Sequence, residues 1–300
     1  MRILIIGSKT GSKDPDSYYT QYVRFFDMAA ADVASERHVS HAFFDDLIIS
    51  VGDQGFMITN TRDGSDLSSY DVLILRGAGF RQSFDVLKAI SVYARMHSVT
   101  IINDYHTFRD SSKLTQAVQF FEHGIPVAQT VYVTKAVLDS PSLPVEFPCI
   151  LKATFGAHGN DNHVVRSMDD VRTIVAETPE KAFVLQTFVP NDRDYRVLII
   201  GEEVMIIERR ASEGSHLNNT SQGGSAALVP IESLPASAVD DARRIMKALD
   251  MTIAGVDILC HGETGAYYFL EVNSQPQLMS GAFVDEKRQA ITRYLSTIAR

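Results

Sequence analysis

Cysteine is nearly absent from this sequence: Cys149 and Cys260 are the only two in 300 residues. They form no CxxC and no set of short, even spacings, which excludes a disulfide-stapled secreted scaffold. Both read as buried thiols of a cytoplasmic protein in a reducing compartment. Long apolar runs are missing too. The opening Ile3-Leu4-Ile5-Ile6 halts at Gly7, too short for a signal-peptide core, and no window approaches the roughly 20 apolar residues of a membrane span. Basic charge is in deficit, with 28 Lys and Arg against 37 Asp and Glu. The net charge of -9 argues against nucleic acid or an anionic membrane as partner. Catalytic signatures are also wanting. Gly7-Ser8-Lys9-Thr10-Gly11-Ser12-Lys13 has neither the spacing nor the ending of a Walker A loop, and there is no HExxH and no GxSxG.

What is present is an α/β texture followed by an α+β one. Residues 2 to 6 form a continuous apolar run, as in a strand buried on both faces, and an amphipathic stretch from Asp16 to Glu36 follows. Tyr18, Tyr19, Tyr22, Phe25 and Phe26 fall on the face that would meet a sheet. Strand patterns at Val39 to Phe44, Asp71 to Arg76 and Val99 to Ile102, a hairpin over Ile48 to Asn60 and a helix over Phe84 to His97 complete an open parallel α/β sheet. A further helix starts after Asp110-Ser111-Ser112, where either serine can cap it, and stops at Gly124. Strand patterns then dominate from Val131 to Val189, broken by a helix near Asp169 to Glu177. A hairpin over Tyr195 to Ala211, a helix over Ala236 to Leu249, a hairpin over Ile253 to Val272 and a closing helix over Asp285 to Ala299 follow. The domain boundary is expected near residue 105, giving domains 1–105 and 106–300, the second splitting into 106–185 and 186–300.

The strongest chemical signal lies in the last hairpin. If its turn centres near Glu263 or Thr264, Asp257 faces Glu271 across an antiparallel pair, and Asn273 shares the face of Glu271 by the period of two. Two facing carboxylates repel unless a cation sits between them, and Mg²⁺ takes one or two carboxylates together with substrate phosphates. A solvated hairpin face kept soluble by its charges is the bland alternative, disfavoured by the apolar flanking positions.

The earlier hairpin carries Asp194-Tyr195-Arg196 on one arm and Glu208-Arg209-Arg210 on the other. With its turn centred on Glu202, Asp194 is expected opposite Arg210 and Arg196 opposite Glu208. These are plain ion pairs, or guanidiniums able to clamp an anion beside the polar loop Ser212 to Ser225. Lys152 stands in the apolar strand Cys149 to Ala153, just before Phe155-Gly156-Ala157-His158-Gly159-Asn160, and a buried lysine needs a partner. Lys113 opposes the dipole of the helix it opens, a placement that a bound anion would offset.

In order, Lys113, Ile150-Leu151-Lys152 with its glycine loop, Leu185 to Val189, Asp194-Tyr195-Arg196, Ile207 to Ala211, Asn219 with Gly223-Gly224-Ser225, Gly255-Val256-Asp257 and Glu271 to Pro276 resemble the ATP-grasp ligases, most closely the RimK-like branch. The likeness runs from about residue 105 to 300, and the first hundred residues look like the α/β domain that precedes the ATP-grasp fold. It implies ATP held between two α+β subdomains. Lys113 and Lys152 would touch its phosphates or adenine. Gln186, Thr187, Phe188 and Val189 would form the adenine hinge through backbone groups, and Asp194 would lie near the ribose. Arg210 and Asn219 would meet the reacting phosphate, Arg196 would help hold a substrate carboxylate, and Asp257, Glu271 and Asn273 would hold Mg²⁺, with Mn²⁺ or a second ion compatible. Substrate pockets would come from loops around Ser8 to Ser12 and Arg76 to Phe80.

The implied activity is an ATP-dependent carboxylate-amine ligase that makes an amide or peptide-like bond through an acyl phosphate, releasing ADP and phosphate. Its substrates would be an amino acid and a peptide, protein tail or small metabolite, and homo-oligomerisation stays open. Departures exist: Thr187 replaces the usual hinge Glu, Leu217 and Gln222 replace common arginines, and Gln277 stands where Gly is usual. They leave a second reading, a non-catalytic ATP-binding regulator on the same fold. A nicotinamide enzyme rests only on the first βα unit and lacks the glycine fingerprint.

Overall fold

A computed structural model describes residues 1–10, 13–53, 55–76, 84–104, 112–155, 161–210 and 225–299. The N-terminal run forms strand β1 (Arg2–Gly7), the centre of a parallel sheet with β2 (His38–Phe43) on one side and β5 (Val72–Arg76), then β6 (Thr100–Ile102), on the other. The expected hairpin is β3 (Leu47–Gly52) with β4 (Gly55–Asn60), a separate two-stranded ribbon. Strand β1 is apolar throughout because both faces are covered. Leu4 and Ile6 join the core of α2 (Phe84–Met96), while Ile3 and Ile5 join that of α1 (Pro15–Ala31). Tyr19, Tyr22, Phe25 and Phe26 are buried from α1 as their spacing predicts, but Tyr18 is exposed. Each such aromatic side chain contributes about 1.5–3 kcal/mol on burial.

Helix α3 (Lys113–Glu122) is capped by Ser112, whose side chain accepts from the Thr115 amide at 3.2 Å. A four-stranded antiparallel sheet follows, in the order β7 (Thr130–Tyr132), β10 (Phe183–Thr187), β8 (Cys149–Ala153), β9 (Asn162–Val165), with α4 (Lys135–Asp139) and α5 (Met168–Glu177) over its own small core. The last sheet has five antiparallel strands in the order β13 (Ser225–Val229), β12 (Glu203–Arg210), β11 (Arg193–Ile200), β14 (Ile253–Cys260), β15 (Tyr267–Asn273). Strand β13 has no counterpart in the sequence analysis, where the polar loop ends at Ser225 and residues 226–229 carry no assignment; its largely exposed side chains show no strict alternation. Helix α6 (Ala236–Ala248) covers one face of this sheet through Val197 and Ile199. Helix α7 (Val284–Ile298) and α1 cover the other end of the opposite face through Leu198 and Ile200.

Asn103 fastens the parallel sheet to the five-stranded one. Its amide nitrogen donates to the carbonyls of Ile253 at 2.5 Å and Ser274 at 2.8 Å, and its oxygen accepts from the amides of Thr252 and Ile253 at 3.0 and 2.9 Å. It is 7% exposed, so all four bonds are shielded from water. Both cysteines are free; Cys149 is buried as expected, whereas Cys260 is only half-buried.

Candidate active site

The turn joining β11 to β12 is two residues long, Gly201-Glu202, with Gly201 in the left-handed region at φ 58° that glycine tolerates. Ile200 therefore pairs with Glu203, and the register differs by one residue from the expected one. Asp194 faces Arg209, not Arg210, and Arg196 faces Ile207, not Glu208. Since the side-chain period is two, this single slip exchanges the roles of the two arginines. Arg209 lies on the face of Asp194, and Arg210 lies on the opposite face. There Arg210 pairs with Glu208 at 2.7 Å and Asp192 at 3.4 Å.

The face of Asp194 and Arg209 is completed by β14 and β15. Asp257 is opposite Arg196 on one side and Glu271 on the other, the expected pairing, reached through a bulge between Asp257 and Ile258, and Asn273 is opposite Gly255. Asp257 is 6% exposed and accepts from Arg196 Nε and Nη2, both at 2.7 Å, in a fork geometry. Arg209 reaches the same carboxylate at 3.2 Å and Asp194 at 2.5 Å. Gly255 leaves room for it: a Cβ there would stand 3.1 Å from Arg196 Cδ, close enough that the arginine would have to give by a few tenths of an ångström. Burial alone raises the carboxyl of Asp257, but Arg196 and Arg209 outweigh it and hold the group below the usual carboxylate range. Burial pushes Asp194 up to about 6 against the pull of Arg209, which leaves it charged at neutral pH. Asp194 is thus paired with Arg209.

Glu271 behaves in the opposite way. Burial first, and the charge of Asp257 second, raise its carboxyl, with Lys113, Arg196 and Lys152 opposing. Lys152 is lowered to about 8, by burial and then by Lys113. Its ammonium donates to Gln186 Oε1 at 2.6 Å, and Gln186 in turn donates to Thr130 Oγ1 at 3.0 Å. Two lysines from α3 and the middle sheet therefore converge on one acid of the last sheet. The amide of Thr187 donates to the Gln129 carbonyl at 3.0 Å, and Phe188 and the buried Val189 continue from it. Asn219, the glycine loop 156–160 and the polar loop 211–224 lie outside the described residues. Of the first-domain positions, Arg76 is buried against the Tyr22 hydroxyl and the Pro276 carbonyl, and residues 11, 12 and 77–80 are likewise outside.

Among the described residues no three His, Cys, Asp or Glu side chains gather as a metal cage. The donor set is two carboxylates with the amide of Asn273, whose oxygen also accepts from the Gln275 amide at 2.9 Å. Hard oxygen donors too few to enclose an ion suit Mg²⁺, which keeps waters or phosphate oxygens. Asp257 and Glu271 face each other across the strand pair with Asn273 on the face of Glu271, so the residues fit the metal. Two side chains escaped the sequence reading. Arg209 was hidden by the register slip, which strand parity alone could have exposed once the turn length was known. Lys287 gave no signal, because a lysine in an amphipathic helix is ordinarily solvated.

Residues 114–289 match the RimK-like ATP-grasp domain. The chain belongs to the RimK-like ATP-grasp family. It is 28% identical over 230 residues, 72% of each chain, to a probable alpha-L-glutamate ligase of Nitrosococcus oceani. It is 44% identical over 87 residues, 29% of this chain and 27% of the relative, to the ribosomal protein bS6–L-glutamate ligase of Escherichia fergusonii. Its fold is that of the ATP-grasp ligase PsnB complexed with minimal precursor, Mg and ADP, at a TM-score of 0.67 and 16% identity over 99% of this chain and 98% of that one. The chain is accordingly an ATP-grasp carboxylate-amine ligase, an enzyme forming C–N bonds. ATP-grasp ligases use ATP and Mg²⁺. The regulator reading gains no support from these likenesses. No helix among the described residues is long and apolar enough to cross a membrane.

Proposed function

We propose that this ligase joins the amine of an amino acid to a carboxylate on a peptide, protein tail or small metabolite. The observation that carries the reading is the Asp257–Glu271 pair, faced by Lys113 and Lys152 and braced by Arg196 and Arg209. Glutamate is the first amino acid to try, since relatives are named as glutamate ligases.

In this reading Lys113 and Lys152 neutralise phosphate oxygens, and the Gln186 to Val189 segment lies along the adenine. Arg209 takes the part first expected of Arg210, and Asp194 positions it. Arg196 fixes Asp257, while Glu271 and Asn273 complete the oxygen donors for Mg²⁺. Asn219 stays a candidate for the reacting phosphate. The metal, when bound, supplies charge neutralisation across the phosphate oxygens. The side chains orient the carboxylate for in-line attack and exclude water from the activated acyl group, as phosphoryl transfer requires positioning and preorganised charge more than a protein nucleophile. The boundary near residue 105 would separate this machinery from the first domain. Free Cys149 and Cys260 support a reducing, cytoplasmic setting.

The test is product identity. Incubation with Mg-ATP, L-glutamate and candidate carboxylate acceptors is expected to give ADP and phosphate in step with a new amide. AMP and pyrophosphate would exclude the acyl-phosphate route.

A further inference from the structure

A small cleft opens on the Asp257 face where the loop after β15 meets the start of α7. Arg196, Arg209, Pro276, Gln277, Ala282 and Lys287 line it, and its volume is about 50 Å³. One water needs about 10–15 Å³, so the cleft has room for a carboxylate and not for a nucleotide. Three cations face this space, and their compensation is unequal. Arg196 is neutralised by Asp257, and Arg209 by Asp194 and Asp257.

Lys287 has no such partner. It is 4% exposed, and its ammonium donates to a single neutral acceptor, the Ser280 carbonyl, at 3.2 Å. Among the described residues it forms no ion pair; burial and then Arg196 lower it, with the charge of Glu286 opposing. An ammonium carries three protons, and a lysine this buried is ordinarily paired.

We propose that Lys287 binds the free carboxylate of the amino acid that supplies the amine, holding it in this cleft beside Arg196. The inference rests on the ligase reading above and names the amine donor's binding group within it. One uncompensated positive charge in a space of carboxylate size calls for one carboxylate. It is the donor's and not the activated one, because the activated carboxylate gives up its charge when it is phosphorylated. The donor's own carboxylate stays charged throughout.

The experiment is calorimetric titration of the full chain, loaded with Mg-ADP, with each of the twenty L-amino acids, then with the α-amide of the tightest binder. The acid should bind about tenfold or more tighter than its amide. Lys287→Met should abolish that preference and Lys287→Arg should retain it. In steady state Lys287→Met should raise KM for the amino acid at least as strongly, with kcat nearly unchanged. Equal binding of acid and amide by the native chain, a preference kept in Lys287→Met, or no binding of any amino acid would overturn the assignment. Product identity separates the two ideas: preference for the acid without ADP release would sink the ligase reading alone, whereas ADP release with KM unmoved in Lys287→Met would sink the lysine's role alone.

Discussion

Arg196 grips Asp257 through two parallel hydrogen bonds of 2.7 Å across neighbouring strands, with both side chains largely shielded from water. The pair holds one acid of the site charged and fixed, while burial and then the charge of Asp257 raise the carboxyl of Glu271, one strand further on. Two acids side by side, one fixed by Arg196 and one raised, give the sheet an asymmetric oxygen face.

Breaking the grip from either side should be costly. Arg196→Met is expected to destabilise the ligand-free chain by about 3–5 kcal/mol, because Asp257 would keep only the longer contact to Arg209. The double variant Arg196→Met with Asp257→Asn should lose clearly less than the sum of the single changes. Chemical denaturation of the four proteins measures this, and additivity within about 0.5 kcal/mol would refute the coupling.

The register of β11 against β12 makes Arg209 and Arg210 unequal. Arg209→Ala should destabilise by several kcal/mol, as it strands Asp194 and weakens Asp257, and should abolish turnover. Arg210→Ala removes partly exposed pairs with Glu208 and Asp192 and should change stability by no more than about 1 kcal/mol. Equal effects of the two changes on stability would contradict the register.

The fold was legible in the sequence wherever one period ruled a whole segment. The apolar run of β1, the aromatic stripe of α1 and the alternation in β14 and β15 announced their partners, and Asp257 falls opposite Glu271 as expected, through a bulge at Asp257 that the pattern does not show. The register of β11 and β12 was misjudged because Gly201-Glu202-Glu203 permits two turn centres. Only the packing of Leu198 and Ile200 on one side and Val197 and Ile199 on the other selects between them. Strand β13 and Lys287 were illegible for a shared reason: what defines them is the neighbouring strand or cleft, not a pattern of their own.

Lys287 also predicts a pH dependence. Burial lowers its ammonium from the ordinary 10.5 to about 8. Below pH 8 it is charged in both folded and unfolded chains, and the full penalty of burying the charge is present. Between about pH 8 and 10.5 the unfolded chain binds the extra proton, so folding gains stability as pH rises. Lys152 shifts in the same direction. Lys287→Met should therefore be more stable than the native chain at pH 7, by about 2–3 kcal/mol without ligand, and this advantage should shrink towards zero near pH 10. Denaturation midpoints at pH 7, 8, 9 and 10 decide it; an advantage that does not fall with pH would refute the buried-charge account.

The central claim, that the Asp257–Glu271 face binds Mg-ATP, is tested most directly by thermal unfolding with and without millimolar Mg-ATP, for the native chain and Glu271→Ala. Near 100 times its Kd a ligand adds about 2.7 kcal/mol, worth about 4–6 °C for a chain of this length. The native chain should show that shift only when magnesium is present. Glu271→Ala should shift by much less relative to its own ligand-free midpoint. An undiminished shift in Glu271→Ala, or none in the native chain, would contradict the account.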